Sequence, residues 1–242
     1  MGDTELTADT LFDGELVIYQ EKRGYRFSMD SVLLAHFAEA GDAESLLDLG
    51  CGCGVMPLVL ACRYPGLKQV VGVELQASLA RLARRNVLEN NLSHRAFIHQ
   101  ADMRRCQGPY PGGPFDLVIS NPPYTPLGRG RLNPRDQKAI ARHEVSLSLP
   151  QLLDAALANL APSGTFHLVY PAERYEEVLA VAHQKTLYPR RLRMVSSHAG
   201  APPKRLLLSL GRLPGSFHTL PPLTVHQHDG TLTDEVDKMF KK

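Results

Sequence analysis

The chain has 242 residues, of which 43% are hydrophobic and 21% are charged, so it is long enough to bury the core of one α/β domain and is not disordered. Its formal net charge is only +2, and the total charge by itself therefore indicates no nucleic-acid partner. The four cysteines show neither the paired spacing of a zinc site nor a disulfide framework, and the acidic start lacks the apolar run of a signal peptide. These features predict a cytoplasmic protein with reduced thiols, no resident metal and no membrane anchor.

Hydrophobic patterns predict the elements of the chain in order. A short run at 16–20 predicts an edge strand, and an apolar stretch at 32–38, with Ser28 or Asp30 as its cap, predicts a helix. Further apolar runs predict strands at 45–49, 70–74, 97–102, 115–120 and 165–170. The segments between them predict helices at 55–63, 77–90, 149–161 and 173–185.

The end of the chain has a different pattern. Apolar runs at 192–196 and 204–210 have no helix between them, which predicts an antiparallel pair. The whole pattern predicts an α/β fold with a doubly wound, mostly parallel seven-stranded sheet and an antiparallel C-terminal hairpin that contributes one reversed edge strand. We predict a single domain, with an extension at 1–40, a catalytic core at 41–212 and a tail at 213–242.

A glycine-rich turn that contains Gly50, Gly52 and Gly54 follows the strand predicted at 45–49. Such a turn between a strand and a helix lets ligand atoms approach the backbone where a Cβ atom would collide. Val55 stands where the dinucleotide-binding pattern has its third glycine, which disfavours a pyrophosphate ligand. No Lys-Ser or Lys-Thr pair follows the turn, which excludes a P-loop.

Three carboxylates, those of Asp48, Glu74 and Asp102, lie at the ends of three predicted strands. Parallel strands present their carboxyl ends at the sheet edge where ligands bind. Asp48 suits a cationic amino group, Glu74 suits ribose hydroxyls, and Asp102 suits the exocyclic amine of adenine. Any one of these acids alone would more commonly cap a helix or face water. The three together predict a site for S-adenosylmethionine.

The motif Asn121-Pro122-Pro123-Tyr124 follows the strand predicted at 115–120. Two prolines remove two backbone donors and stiffen the chain, so the side-chain oxygen of Asn121 and the carbonyl of Pro122 become rigid acceptors. Two fixed acceptors can raise the electron density of an amino nitrogen and aim its lone pair at an electrophilic methyl group. Tyr124 offers a flat face on which an extruded base can stack. In isolation the motif would be a turn, but after a glycine loop it predicts a catalytic clamp.

These motifs resemble the class I S-adenosylmethionine-dependent methyltransferases that methylate amino nitrogens. Residues 24–31 (GYRFSMDS), 142–144 (RHE) and 204–208 (KRLLL) resemble more narrowly the bacterial valine-tRNA adenine-N6 methyltransferases. The resemblance covers nearly the whole chain. It implies a Rossmann-like fold and methylation of N6 of the adenosine just 3′ of the anticodon in tRNA.

The resemblance also implies that residues 25–30 help to close over the cofactor. The predicted cofactor site comprises Tyr25, Phe27, Asp30, Asp48, Gly50, Cys51, Gly52, Gly54, Glu74, Leu75, Asp102, Met103 and Asn121. Cysteines at positions 51 and 53 depart from the family pattern but replace no predicted acid or clamp residue.

A long stretch near the end of the chain carries charge of one sign. From 178 to 228 there is no Asp or Glu, whereas basic residues recur, which indicates a surface that faces phosphates. The alternative is that these residues only solvate exposed faces. The predicted RNA-binding residues, including two just beyond the clamp, are Arg129, Arg131, Arg190, Arg191, Arg193, Lys204 and Arg205.

Two other functions fit part of the pattern. Protein glutamine-N5 methyltransferases also carry Asn-Pro-Pro-Tyr, because an amide nitrogen needs the same clamp, but they usually have an additional helical N-terminal domain. Only a short segment precedes Asp48 here, which favours RNA as the substrate. A non-catalytic protein that binds RNA or senses the cofactor is the second alternative, and the intact Asn121 and Tyr124 argue against it. His143 and Glu144 are interpreted as structural, because the proton released after transfer to nitrogen can pass to water.

Overall fold

A hairpin and a central sheet organise the protein, whose computed structural model describes residues 5–24, 26–123 and 147–241. The hairpin consists of two antiparallel strands, β1 (Leu6–Leu11) and β2 (Leu16–Glu21). Five parallel strands of the central sheet come next in the chain: β3 (Ser45–Leu49), β4 (Gln69–Glu74), β5 (Ala96–Gln100), β6 (Phe115–Ser120) and β7 (Leu160–Pro171). Four more strands complete the described part of the sheet: β8 (Tyr188–His198), β9 (Arg205–Gly211), β10 (His218–Thr219) and β11 (Leu223–His226).

Helices pack on both faces of the central sheet. They are α1 (Met29–Phe37), α2 (Val55–Arg63), α3 (Ala77–Glu89), α4 (Leu149–Asn159), α5 (Tyr175–Gln184) and the short α6 (Asp234–Asp237). Leu46 of β3 packs in the core that contains α1, α2 and α3, and its neighbour Leu47 packs in the core that contains α4 and α5. Successive residues of a strand point to opposite faces, so the sheet is covered on both sides. Within the described ranges, no helix combines the length and the apolar character needed to cross a bilayer.

The order of the strands places two loops side by side. The order across the sheet is β5, β4, β3, β6, β7, β9 and β8, with β10 and β11 both paired to the outer edge of β8. The predicted doubly wound, mostly parallel sheet is confirmed, and the tail adds two short strands to it. β4 and β6 pair with opposite edges of β3. The order in which successive strands are added to the sheet therefore reverses between β3 and β6. Doubly wound sheets bind ligands at such a switch point, which here lies between the glycine loop and Asn121.

One expectation about strand positions is wrong. The reversed strand is not at the edge, because β9 lies antiparallel between β7 and β8. Residues 206–210 are buried along their whole length, so β9 takes an interior place, whereas the half-exposed β8 lies outside it. The edge strand predicted at 16–20 is present as β2, and it pairs with β1 in the separate hairpin.

Two asparagine side chains, in α3 and at its C-terminal end, form hydrogen bonds with the backbone along one edge of β2, as a neighbouring strand would. Asn86 accepts a hydrogen bond from the N–H of Tyr19 at 2.9 Å and donates one to the carbonyl of Tyr19 at 3.0 Å. One turn later, Asn90 makes the same pair of bonds with Val17, at 2.9 and 2.7 Å. The spacings agree because four helical residues rise about 6 Å and two strand residues span about 6.7 Å. The hairpin is thereby fixed to the helix beside the glycine loop.

Candidate functional site

The loop after β3 presents bare backbone at the carboxyl edge of the sheet. Gly50, Gly52 and Gly54 have φ angles of 84°, 57° and 88°, in the left-handed region that side chains disfavour. The N–H groups of Gly50 and Cys51 donate to the carbonyl of Val73 at 2.8 and 3.0 Å, which draws the loop across the tip of β4. Ligand atoms can therefore approach this backbone closely.

Glu74 fixes the loop from the end of β4. One carboxylate oxygen accepts a hydrogen bond from the N–H of Gly52 at 2.9 Å, and the other accepts one from the N–H of Gln76 at 2.8 Å. The side chain is buried, and burial raises the pKa of its carboxyl group. Each oxygen has further lone-pair capacity, so Glu74 can also accept hydrogen bonds from a ligand.

Asp48, near the end of β3, carries a buried carboxyl group. It is 0% exposed, and neither carboxylate oxygen has a hydrogen-bond partner among the described residues. Burial, and secondarily the charge of Glu74, raises the pKa of Asp48 well above its ordinary value. An unpaired buried carboxylate is unfavourable until a cation or a donor reaches it. The site is thus complementary to a ligand that brings positive charge.

Asp102 follows β5 and is held by Arg104. Its carboxylate accepts hydrogen bonds from Arg104 Nε at 2.8 Å, from Nη2 at 2.7 Å and from the Arg104 backbone N–H at 3.0 Å. The hydrogen bonds from Arg104 lower the pKa of Asp102, so the carboxylate is ionised at neutral pH. It lines a cleft of about 390 Å³ together with Cys106 and Tyr110. A ligand amine that reaches this carboxylate would share it with the guanidinium group.

Apolar atoms also border the glycine loop. The Cε atom of Met103 lies 3.3 Å from the point that a Cβ atom on Gly50 would occupy. Leu75, directly after Glu74, is half-buried. Met103 therefore offers an apolar contact beside the bare backbone of the loop.

The two loop cysteines are packing residues. Cys51 and Cys53 are buried, and burial raises the pKa of both thiols, that of Cys53 to about 12. Cys51 fits against β4 because Gly72 has no side chain, and a Cβ atom there would lie 2.8 Å from its sulfur. In the part of the chain that the structure describes, no three His, Cys, Asp or Glu side chains group together in a way that could hold a metal ion.

Asn121 is anchored from two sides. The hydroxyl of Ser120 donates to the carbonyl of Leu49 at 2.7 Å, which ties the ends of β6 and β3 together. The Asn121 Nδ2 atom donates to the hydroxyl of Ser31 at 2.9 Å, and it lies 3.4 Å from that of Ser28. With Nδ2 held by α1, the amide orientation is set. Sequence reasoning did not single out Ser31, although the spacing of Ser28 and Ser31 places both on one face of the first helical turn.

The remaining clamp positions are only partly described. Pro122 is buried and Pro123 is exposed. Tyr124 lies outside the described residues, as do His143 and Glu144.

The segment before α1 is tied to the hairpin, and the first turn of α1 is tied to β9. Phe27 is half-buried against the core, and its N–H donates to Gln20 Oε1 at 2.7 Å. Asp30 forms an ion pair with Arg205, with 3.0 Å between Asp30 Oδ2 and Arg205 Nε. Tyr25 lies outside the described residues. Asp30 and Arg205 were predicted to contact cofactor and RNA respectively, and the structure pairs them with each other.

The three arginines of β8 also contact other residues of the protein. Arg191 pairs with Glu39 and lies over the ring of Phe37, and Arg193 pairs with Glu235 at 2.6 Å. Arg190 donates to the carbonyl of Leu213. Lys204 is exposed, whereas Arg129 and Arg131 lie outside the described residues. Binding of RNA by the three β8 arginines stays a prediction, and it would require them to share or exchange these partners.

Comparisons with known proteins give a consistent family. Residues 28–187 match the methyltransferase small domain family. The chain is 32% identical over 200 residues to a tRNA1(Val) (adenine(37)-N6)-methyltransferase of Parabacteroides distasonis, covering 83% of this chain and 82% of the relative. It is 33% identical over 205 residues to the protein of the same name from Aeromonas hydrophila, covering 85% and 84%.

A solved structure shares the fold. The crystal structure of a predicted O-methyltransferase from Agrobacterium tumefaciens has a TM-score of 0.65 and 22% identity, and the match covers 87% of this chain and 94% of that one. This likeness concerns the fold alone. The two relatives are identical to this chain at about a third of the aligned positions, and those positions cover 83% and 85% of the chain. The chain belongs to the methyltransferase small domain family and to the family of the tRNA1(Val) (adenine(37)-N6)-methyltransferases.

Proposed function

We propose that this protein uses S-adenosylmethionine to methylate the exocyclic N6 of an adenosine in tRNA, specifically the adenosine next to the anticodon of a valine tRNA. The observation that carries the proposal is the fully buried carboxyl group of Asp48, which has no hydrogen-bond partner within the described ranges and lies beside a left-handed glycine loop, one strand away from Asn121. The names of the relatives support the choice of tRNA and of the adenine amine.

The residues at the ends of β3, β4 and β5 fit the parts of this cofactor. Asp48 would pair with its cationic amino group, Glu74 would accept hydrogen bonds from the ribose hydroxyls, and Asp102 would accept one from the adenine amine. The backbone at Gly50 and Gly52 would lie against the ligand, with Met103 as an apolar contact. When bound, the cofactor supplies an electrophilic methyl group on a sulfonium sulfur.

Asn121 and Pro122 would act on the adenine nitrogen. The N6 lone pair is delocalised into the ring, which makes the amine a poor nucleophile. Accepting both N6–H bonds on the Asn121 oxygen and the Pro122 carbonyl would restore electron density to nitrogen and direct its lone pair. The nitrogen loses its proton to water after transfer, so no strong base is required.

We place the RNA contacts at the carboxyl edge of the sheet, where the cofactor residues also lie. Lys204 is exposed and directly precedes β9, whose first residue, Arg205, pairs with Pro171 at the end of β7. An exposed ammonium group beside the carboxyl ends of the strands suits a phosphate of the bound strand. Arg129 and Arg131, just beyond the clamp in sequence, are proposed to contact the RNA next to the target nucleotide.

Methyl transfer to tRNA tests the function directly. Unmodified tRNA and, in a parallel reaction, unmethylated cell protein are each incubated with the protein and isotopically labelled S-adenosylmethionine. Nucleosides, RNA fragments and protein digests are then analysed by mass spectrometry. The expected product is labelled N6-methyladenosine in the anticodon-loop fragment of valine tRNA. Label in protein glutamine instead would favour the glutamine-N5 alternative, and no transfer to either substrate would contradict the proposal.

Ser31→Ala is expected to lower kcat about fivefold while leaving the Kd for S-adenosylmethionine nearly unchanged, because one hydrogen bond that orients Asn121 is lost. Steady-state kinetics and calorimetry measure the two quantities. Ser28→Ala is the matched control, since its hydroxyl is 3.4 Å from Asn121 Nδ2 and caps no backbone N–H of α1. Ser31→Thr retains the hydroxyl and should restore most of the rate. Equal losses of kcat in the Ser28 and Ser31 alanine variants would argue against this role.

A further inference from the structure

We propose that Asn86 is a positioning residue that couples the N-terminal hairpin to the cofactor loop. The inference rests on the proposed function, because it concerns how the same loop is held for S-adenosylmethionine. Besides its two hydrogen bonds with Tyr19 of β2, Asn86 Nδ2 donates to the carbonyl of Cys53 at 2.9 Å. One buried amide therefore connects the hairpin, α3 and the glycine loop.

Both N–H bonds and the oxygen of the Asn86 side-chain amide have hydrogen-bond partners. Asn86 is 0% exposed, its oxygen accepts from Tyr19, and its two N–H bonds serve the carbonyls of Tyr19 and Cys53. The helix approaches the loop closely at this point, since a Cβ atom on Gly54 would lie 3.3 Å from the Cβ atom of Ala83. Ala83 is one turn before Asn86, so the same face of α3 supports the loop twice.

The hairpin holds a second element beside the site. The side chain of Gln20, which is 1% exposed, accepts a hydrogen bond from the N–H of Phe27 at 2.7 Å. Asp9 forms an ion pair with Arg26 at 2.6 Å. The hairpin therefore contacts both the segment that leads into α1 and, through Asn86, the glycine loop.

The coupling matters because ordering a loop with three glycines costs much conformational entropy. Glycine loses more conformational freedom on ordering than other residues do. Fixing the Cys53 carbonyl in the free protein means that less ordering remains to be done when a ligand binds, which favours affinity. It also keeps the N–H of Gly52 directed at Glu74, where they meet at 2.9 Å.

Asn90, the residue that caps the C-terminal end of α3, provides a matched control. It makes the same two bonds to β2, but its remaining N–H donates to the carbonyl of Asn86 at 2.7 Å instead of to the loop. We expect Asn86→Ala to raise the Kd for S-adenosylmethionine about tenfold and Asn90→Ala to raise it less than about twofold. Isothermal titration calorimetry measures the Kd, and urea unfolding measures the stability of each variant.

The outcomes separate the inference from the proposed function. Equal changes in Kd for the two variants, or an unchanged Kd for Asn86→Ala, would overturn the positioning role of Asn86. A wild-type protein that fails to bind S-adenosylmethionine would overturn the proposed function and the inference together. If Asn86→Ala does not fold, the inference is tested on the wild type by measuring the hydrogen-exchange rates of its backbone N–H groups by NMR. Saturating S-adenosylmethionine should then slow exchange more at Tyr19 than at Val17, and equal slowing would overturn the inference.

Discussion

Asn121→Ala is expected to abolish measurable methyl transfer to tRNA, with kcat/KM lower by at least about 100-fold. The Kd for S-adenosylmethionine should change little. The reason is that the Asn121 oxygen is proposed to act on the substrate nitrogen, while the glycine loop and the three acids hold the cofactor. Losing an interaction that forms only while nitrogen attacks carbon lowers kcat without weakening the binding of the other substrate.

The measurement combines single-turnover transfer with calorimetric titration of S-adenosylmethionine. Asn159→Ala is a useful contrast, because this buried asparagine holds the N–H of Tyr110 at 2.8 Å and lies in α4, away from the clamp. It should reduce stability much more than transfer. Asn121 was predicted in both the clamp and the cofactor site. If Asn121→Ala weakened cofactor binding as strongly as it slowed transfer, the residue would act only in the cofactor site and the clamp would be misassigned.

Asp48→Asn is expected to make the ligand-free protein more stable while weakening S-adenosylmethionine binding about 30-fold or more. The wild-type carboxyl group is fully buried and has no partner among the described residues, so folding must either bury its charge or take up a proton. A neutral amide avoids both, and the change should add about 1 to 3 kcal/mol to the free energy of unfolding. The loss of affinity follows because the cationic end of the cofactor would no longer meet a carboxylate.

The pH dependence of this effect has a definite sign. The folded protein raises the pKa of Asp48, so between the unfolded and the folded pKa the folded state holds a proton that the unfolded state has lost. The wild type therefore loses stability as pH rises through that window, and Asp48→Asn should remove this part of the slope. Thermal unfolding from pH 4 upward, without cofactor, measures it. A cationic ligand favours the ionised carboxylate, so binding should also release protons, as calorimetry in two buffers can detect.

Asp116→Asn is the matched control for Asp48→Asn. One oxygen of Asp116 accepts hydrogen bonds from the N–H groups of Glu44 and Ser45 and from the Ser45 hydroxyl, at 3.0, 3.0 and 2.8 Å. Losing this well-partnered carboxylate should destabilise the protein and leave cofactor affinity unchanged. If Asp48→Asn behaved like Asp116→Asn, Asp48 would be a structural residue and the cofactor assignment would lose its main support.

Local patterns were sufficient to place many elements. The predicted helix at 55–63 and strand at 115–120 agree with the structure to the residue, because a glycine turn, a proline-glycine pair and the two clamp prolines punctuate the chain around them. Strand β7 begins earlier than predicted, at Leu160, directly after α4. Leu160 pairs with Phe115 of β6, the register then shifts across residues 161–164, and pairing resumes between Thr165 and Leu117, so the proline and glycine of this segment interrupt the pairing without ending the strand.

The chemistry of the loops and the alternation of strands and helices were determined by the sequence itself. Glycines, prolines and strand-end acids act through their own geometry and charge, which need no distant partner to be recognised. The pairings of Asp30 with Arg205, Arg191 with Glu39 and Asn86 with the loop were decided only by the tertiary structure. Each joins residues far apart in the chain, and no local pattern specifies which distant group a side chain will meet. The interior place of β9 has the same origin, since burial on both faces indicates that a strand is central but not which neighbours it will have.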